Sequence, residues 1–152
     1  MITLNRRTND PSRPVDGCLV LPFAIRQKSR FRAELRDGQP CGVVLERGGV
    51  LRHGDLLEND AGTVIRIEAA AEELSIGRAA DPLIFARACY HLGNRHVPLH
   101  IEPGELRFQV DHVLEDMLRQ LGVAVERRSD RFEPEAGAYG GAGAGGTHGH
   151  HH

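Results

Sequence analysis

The chain has 152 residues, a formal net charge of −2 and 40% hydrophobic residues with no Trp. That length suits one domain or two small ones, and the core must be built from Leu, Val, Ile, Ala and a few Phe. A near-neutral charge gives no electrostatic case for nucleic acid. No apolar run is long enough to span a bilayer, and Met1 to Arg7 lack the apolar stretch of a signal peptide. The cytoplasm is the expected compartment.

Residues 5–14, rich in Asn, Thr, Asp, Pro, Ser and Arg, read as an irregular lead-in. Leu19-Val20-Leu21 is an apolar run ended by Pro22. Phe31, Ala33 and Leu35 alternate with Arg30, Arg32, Glu34 and Arg36, the period-two pattern of a half-buried strand. Asp37-Gly38 signals a hairpin, and Val43-Val44-Leu45 continues it. Turns follow at Gly48-Gly49, His53-Gly54-Asp55 and Asn59-Asp60-Ala61-Gly62, and Val64, Ile65 and Ile67 form a further strand. Turn signals about every ten residues predict a small all-β unit over 1–72. Its arginines Arg30, Arg32 and Arg36 form a basic outer face, either solvated or a docking surface for an acidic partner. His53 reads as a surface turn residue.

A connector at Ala69 to Glu73 opens a second unit, 73–135. Leu74 and Ile76 begin a strand. Asp81-Pro82 is a helix start, with Asp as N-cap and Pro at the first helical position. An apolar helix runs from Leu83 to Leu92, with Gly93 expected as its left-handed cap. His96 stands just past it, and Pro98 forces the chain extended. Leu99 to Val110 reads as a hairpin around Glu102-Pro103-Gly104-Glu105. It should pair Ile101 with Leu106 and Leu99 with Phe108 on one apolar face, leaving His100, Glu102, Arg107 and Gln109 on the other. His100 is expected to be solvated. Asp111 caps a helix in which Leu114, Met117, Leu118 and Leu121 repeat at i, i+3, i+4, i+7. Glu115 and Asp116 lie near its positive end. Gly122 ends it, and Val123 and Val125 open the last strand. Strand, helix, strand, strand, helix, strand is the ferredoxin-like split βαβ order. The predicted fold class is therefore α+β: a small all-β N-terminal domain, then a ferredoxin-like βαββαβ C-terminal domain. Residues 136–152 are a Gly/Ala linker expected to be flexible, ending in a His-rich tail.

Cysteines Cys18, Cys41 and Cys89 lack CxxC spacing, which argues against a disulfide framework or zinc ribbon. The nine histidines are the anomaly. Imidazole suits late divalent metals such as nickel, copper and zinc. A tight site needs about four donors, and no set within one folded copy has ligand spacing. A ligand near a two-fold axis meets its own copy, and His96 on a short exposed connection suits that position, as it also suits an ordinary surface histidine. His112, at a helix start that disfavours imidazolium, is either a surface residue or a further ligand. His91 is explained by the helix dipole alone. His148, His150, His151 and His152 form a metal-binding composition. The interruption at Gly149, after Thr147, favours a native tail over an appended tag.

Three runs, Arg87 to His96 (RACYHLGNRH), Asp111 to Leu118 (DHVLEDML) and Phe132 to Tyr139 (FEPEAGAY), resemble the UreE family of urease accessory proteins, and the likeness covers nearly the whole chain. The turn Leu51-Arg52-His53-Gly54-Asp55 resembles one in that family's N-terminal domain. The resemblance implies a nickel metallochaperone, not an enzyme, that delivers Ni(II) as cargo to apo-urease and its accessory complex. It also implies a β domain for partner contacts, a homodimer with His96 at its interface, and the urease accessory GTPase UreG as immediate partner. Pairing of dimers into tetramers stays open, and the same donors accept Cu(II) or Zn(II). Some relatives carry another histidine where this chain has Val110, which removes support for a second site built on that pair with His112. The alternative reading is a protein-interaction adaptor in urease maturation with incidental metal binding. A hydrolase using metal-bound water would need a general base beside an open ligand position, and none is assignable.

Overall fold

A computed structural model describes residues 1–46 and 49–137. It divides into two compact units, residues 1–70 and 71–135. No helix among the described residues is long and apolar enough to cross a membrane.

Among its described residues the first unit holds seven strands: β1 (Ile2–Leu4), β2 (Arg6–Thr8), β3 (Gly17–Leu21), β4 (Arg30–Glu34), β5 (Pro40–Val44), β6 (Leu56–Glu58) and β7 (Val64–Ala69), with one short helix, α1 (Phe23–Arg26). They form two sheets, ordered β1-β5-β4 and β2-β6-β7-β3. β4 and β5 are antiparallel around the predicted hairpin, where Gly38 takes a φ of 92°. Two pairings are parallel, β1 with β5 and β3 with β7. Leu4, Leu19, Leu21, Leu35, Cys41, Val43, Leu51, Leu57, Ile65 and Ile67 form the unit's core. The predicted alternation in β4 holds: Phe31 and Ala33 pack on this core while Arg30 and Arg32 are exposed. Arg36 pairs with Glu68, which also pairs with Arg66. Arg26 is fully buried, donating to the carbonyls of Leu21 at 3.0 Å and Leu51 at 3.2 Å. The Gly48 half of the predicted Gly48-Gly49 turn lies outside the described residues; Gly49 has a φ of 86°.

The second unit runs β8 (Ala71–Arg78), α2 (Pro82–Asn94), β9 (His100–Glu102), β10 (Glu105–Gln109), α3 (His112–Gln120) and β11 (Ala124–Arg131). Its antiparallel sheet is ordered β11-β8-β10-β9. In the order of strands within the unit that is 4-1-3-2, the ferredoxin-like arrangement. Both helices start where the sequence places them. Asp81 accepts from the amides of Leu83 and Ile84, and Asp111 from those of Val113 and Leu114, satisfying donors that a helix start leaves without partners. Gly122, φ 95°, follows the end of α3.

Ala88, Leu92, Leu99, Leu106, Phe108, Leu114, Leu118 and Val123 make the core beneath the helices. On β8, the residues toward the helices are Ser75 and Gly77, not the apolar Leu74 and Ile76. Ser75 Oγ donates to Glu115 Oε2 of α3 at 2.6 Å, and a Cβ on Gly77 would lie 3.1 Å from Leu118. Leu74 and Ile76 are buried on the opposite face by the period of two. Glu115, 3% exposed, receives two hydrogen bonds from Arg127, at 3.0 and 3.1 Å. Arg127 and Ser75 together hold its carboxyl below the ordinary range against the cost of burial.

Two expectations about the hairpin change. The β9–β10 ladder pairs Ile101 with Leu106 and His100 with Arg107, and stops there. Leu99 does not extend it toward Phe108, because its carbonyl accepts instead from the amide of Glu135 at 2.8 Å. Ile101, on the edge strand, remains 38% exposed. His100, expected to be solvated, is 6% exposed and hydrogen-bonded through both ring nitrogens.

Candidate metal centre

The predicted left-handed cap at Gly93 is not used. α2 continues through Gly93 to Asn94, and the turn closes with the Arg95 amide donating to Leu92 O at 3.1 Å and the His96 amide to Gly93 O at 3.0 Å. The left-handed residue is His96 itself, φ 60°, the one non-glycine with positive φ among the described residues. That conformation costs an L-residue about 1–2 kcal/mol. Short polar side chains and histidine tolerate it better than β-branched ones. Backbone strain of this kind concentrates at binding sites, where the surrounding structure holds a side chain in place.

His96 is exposed, and so is one face of the helix leading to it. Leu83, Ala86, Arg87, Tyr90 and Asn94 recur at the i, i+3, i+4, i+7 and i+11 positions of that face. Leu83 is 56% and Tyr90 69% exposed. His91 lies in the last turn, with its ring edge-on to Tyr90 at 5.3 Å. His112 is the first residue of α3 and exposed.

Among the described residues no group of three or more His, Cys, Asp or Glu could hold a metal ion. His96 and His112 are therefore not joined by a third donor there. His148, His150, His151 and His152 lie outside the described residues. The cysteines add nothing reactive: burial pushes the thiols of Cys18, Cys41 and Cys89 upward, away from the thiolate a metal needs.

Sequence reasoning missed how the end of the folded chain is attached. Glu133 N donates to His100 Nδ1 at 2.9 Å, and Glu135 N to Leu99 O at 2.8 Å. Phe132 and Pro134 are buried beside them in sequence. The segment preceding the tail is thus tied to the connection that carries His96. The buried aromatic and proline in Phe132-Glu133-Pro134-Glu135 are the trace this leaves in the sequence.

The fold and the exposed histidine define a class: a two-unit α+β protein, all-β then ferredoxin-like, whose donors fall short of a closed metal site in the described part of one copy. The UreE urease accessory protein N-terminal domain matches residues 2–70 and the UreE C-terminal domain residues 63–152. Urease accessory protein UreE of Alkalilimnicola ehrlichii is 56% identical over 141 residues, covering 93% of this chain and 86% of its own length. The protein of that name from Pseudomonas putida is 57% identical over 141 residues, 91% of this chain and 84% of its own. That from Escherichia coli O157:H7 is 49% identical over 153 residues, 100% and 96%. The chain belongs to the UreE family of urease accessory proteins, with an accessory role in urease maturation.

Proposed function

We propose that this protein is a cytoplasmic nickel metallochaperone that works as a homodimer and delivers Ni(II) for assembly of the urease active site. The observation that carries the proposal is His96 held left-handed and exposed at the end of an exposed helix face bearing Leu83 and Tyr90. A second copy packed on that face would cover its apolar side chains and bring the two His96 rings to a common axis. Each copy then adds donors to an ion the described part of one copy cannot close around.

Tail histidines His148, His150, His151 and His152 complete the shell, with His112 as a further ligand. The attachment of Glu135 to Leu99 supports this, since it starts the tail next to the His96 connection. A half-open site suits a carrier, because cargo must leave. The same donors accept copper(II) and zinc(II), so supply and geometry set the cargo. The N-terminal β unit, with Arg30 and Arg32 exposed on β4, is the surface we assign to partners. Those partners are the accessory GTPase UreG and apo-urease with its accessory complex.

Nickel titration by calorimetry, with mass measured by light scattering, tests the reading. His96→Ala should abolish the tightest nickel event while the mass stays that of a dimer. Unchanged tight binding, or a wild-type monomer, would refute the shared centre. The lack of a three-donor cluster in the described part of one copy also favours a second reading, an adaptor with incidental metal. Capture of the GTPase by metal-free protein, indifferent to His96→Ala, would favour that instead.

A further inference from the structure

We propose that His100 is a positioning residue for metal loading: it pins the segment 132–135 to the His96 connection and so fixes where the tail begins. The idea rests on the reading above in which the tail supplies ligands.

His100 opens β9, an edge strand, with its ring buried. Its Nδ1 lies 2.9 Å from the Glu133 amide nitrogen. An amide N–H can only donate, so Nδ1 carries no proton and acts as acceptor. The neutral ring then bears its proton on Nε2, which donates to Glu102 Oε2 at 2.8 Å. One tautomer satisfies both contacts, and Glu102 holds the ring in it. Both nitrogens are occupied, so His100 is not itself a ligand. Its work is mechanical: a side chain of β9 takes the backbone amide of Glu133.

The second tie lies one residue before β9 and two residues on along the segment, from Glu135 N to Leu99 O at 2.8 Å. Phe132 and Pro134 are buried between and beside these ties. Two attachment points fix the direction of a chain, where one would leave it free to pivot. Leu99 is three residues from His96. Held this way, tail donors act at a local concentration set by the linker from a fixed root, and moving the root lowers it.

The test uses the full-length chain and three readouts. In metal-free protein, His100→Ala should speed amide hydrogen exchange at Glu133 and Glu135 by about tenfold or more, with Leu106 and Phe108 unchanged as internal controls. His100→Asn, whose Oδ1 can replace Nδ1 as acceptor, should restore protection. Nickel affinity should fall by roughly three- to tenfold in His100→Ala, and that loss should vanish once residues 147–152 are removed. The ring should give the nitrogen NMR pattern of a neutral Nε2–H imidazole. Unchanged exchange at Glu135, an Nδ1–H tautomer, or a nickel loss that persists without the tail overturns the proposal. If removing residues 147–152 from the wild type leaves nickel binding untouched, the tail-ligand reading is what has failed, and the exchange result alone then decides whether His100 pins the segment.

Discussion

The amide of Glu135 donates to the carbonyl of Leu99 at 2.8 Å, so the last described residues of the chain are fastened beside the stretch that presents His96. Two parts of the sequence that share no pattern are brought together by one backbone bond. Each carries, or leads to, imidazole. That adjacency supports the proposal that histidines beyond it supply ligands, because Leu99 lies three residues from His96.

Removing residues 147–152 should lower nickel affinity or stoichiometry and leave the dimer intact. Calorimetry and light scattering on the truncated chain check it. Loss of the dimer would mean the tail acts in assembly and not in coordination. In both chains nickel binding should weaken below about pH 6, since imidazole ligates only when neutral.

Substitutions at His96 should separate stability from binding. His96→Gly removes the side chain from a position with φ 60° and should leave thermal stability unchanged or slightly raised, with tight nickel binding lost. His96→Val should cost about 1–2 kcal/mol, because a β-branched residue resists left-handed backbone. Urea denaturation of both variants measures the difference.

The ion-pair cluster of Glu105 with Arg107 and Arg128 in the second unit's sheet should hold until the pH is well below the ordinary carboxylate range. Burial pushes the Glu105 carboxyl up, but hydrogen bonds from Arg128 at 2.7 Å and Arg107 at 2.8 Å outweigh it and hold the group at about 2. Its ordinary value is 4.5, so the folded state binds this proton less readily than the unfolded chain. The stabilisation is complete above about pH 4.5 and is lost as pH falls toward 2. The stability gap between wild type and Glu105→Gln should therefore be wide at pH 7 and close between pH about 4.5 and 2, as followed by urea titrations across that range.

Gly77→Val should destabilise the second unit by about 1–3 kcal/mol. A Cβ there meets Leu118 and Val123, each at 3.1 Å, and the added methyls have no room to turn. Isoleucine at position 76 replaced by valine should cost less, about 0.5–1.5 kcal/mol. Thermal melts of the two variants rank them.

Much of the local architecture was legible in the residues. Asp81-Pro82 and Asp111 announce helix starts, Asp37-Gly38 announces a hairpin, and the order of six elements gives the ferredoxin-like unit. These are effects between near neighbours, so a linear pattern records them. The parallel pairings β1 with β5 and β3 with β7 were not legible, because they join strands far apart in the chain. Likewise alternation told that Leu74 and Ile76 share a face, but not that Ser75 and Gly77 would be the pair beneath the helices.

For the site, residue types and the long family-like runs singled out His96 and the terminal histidines from one dimension alone. Three things depended on folding. His96, not Gly93, takes the left-handed turn, since the hydrogen bonds that close α2 run one turn further than a glycine stop suggests. His100 leaves solvent because an amide from a distant segment meets its ring. The segment that leads into the tail is fixed to the connection after His96 because the Leu99 carbonyl accepts from Glu135 instead of extending the hairpin. Each is a contest between partners remote in sequence, and its outcome is set by which donor and acceptor the packed units bring within reach.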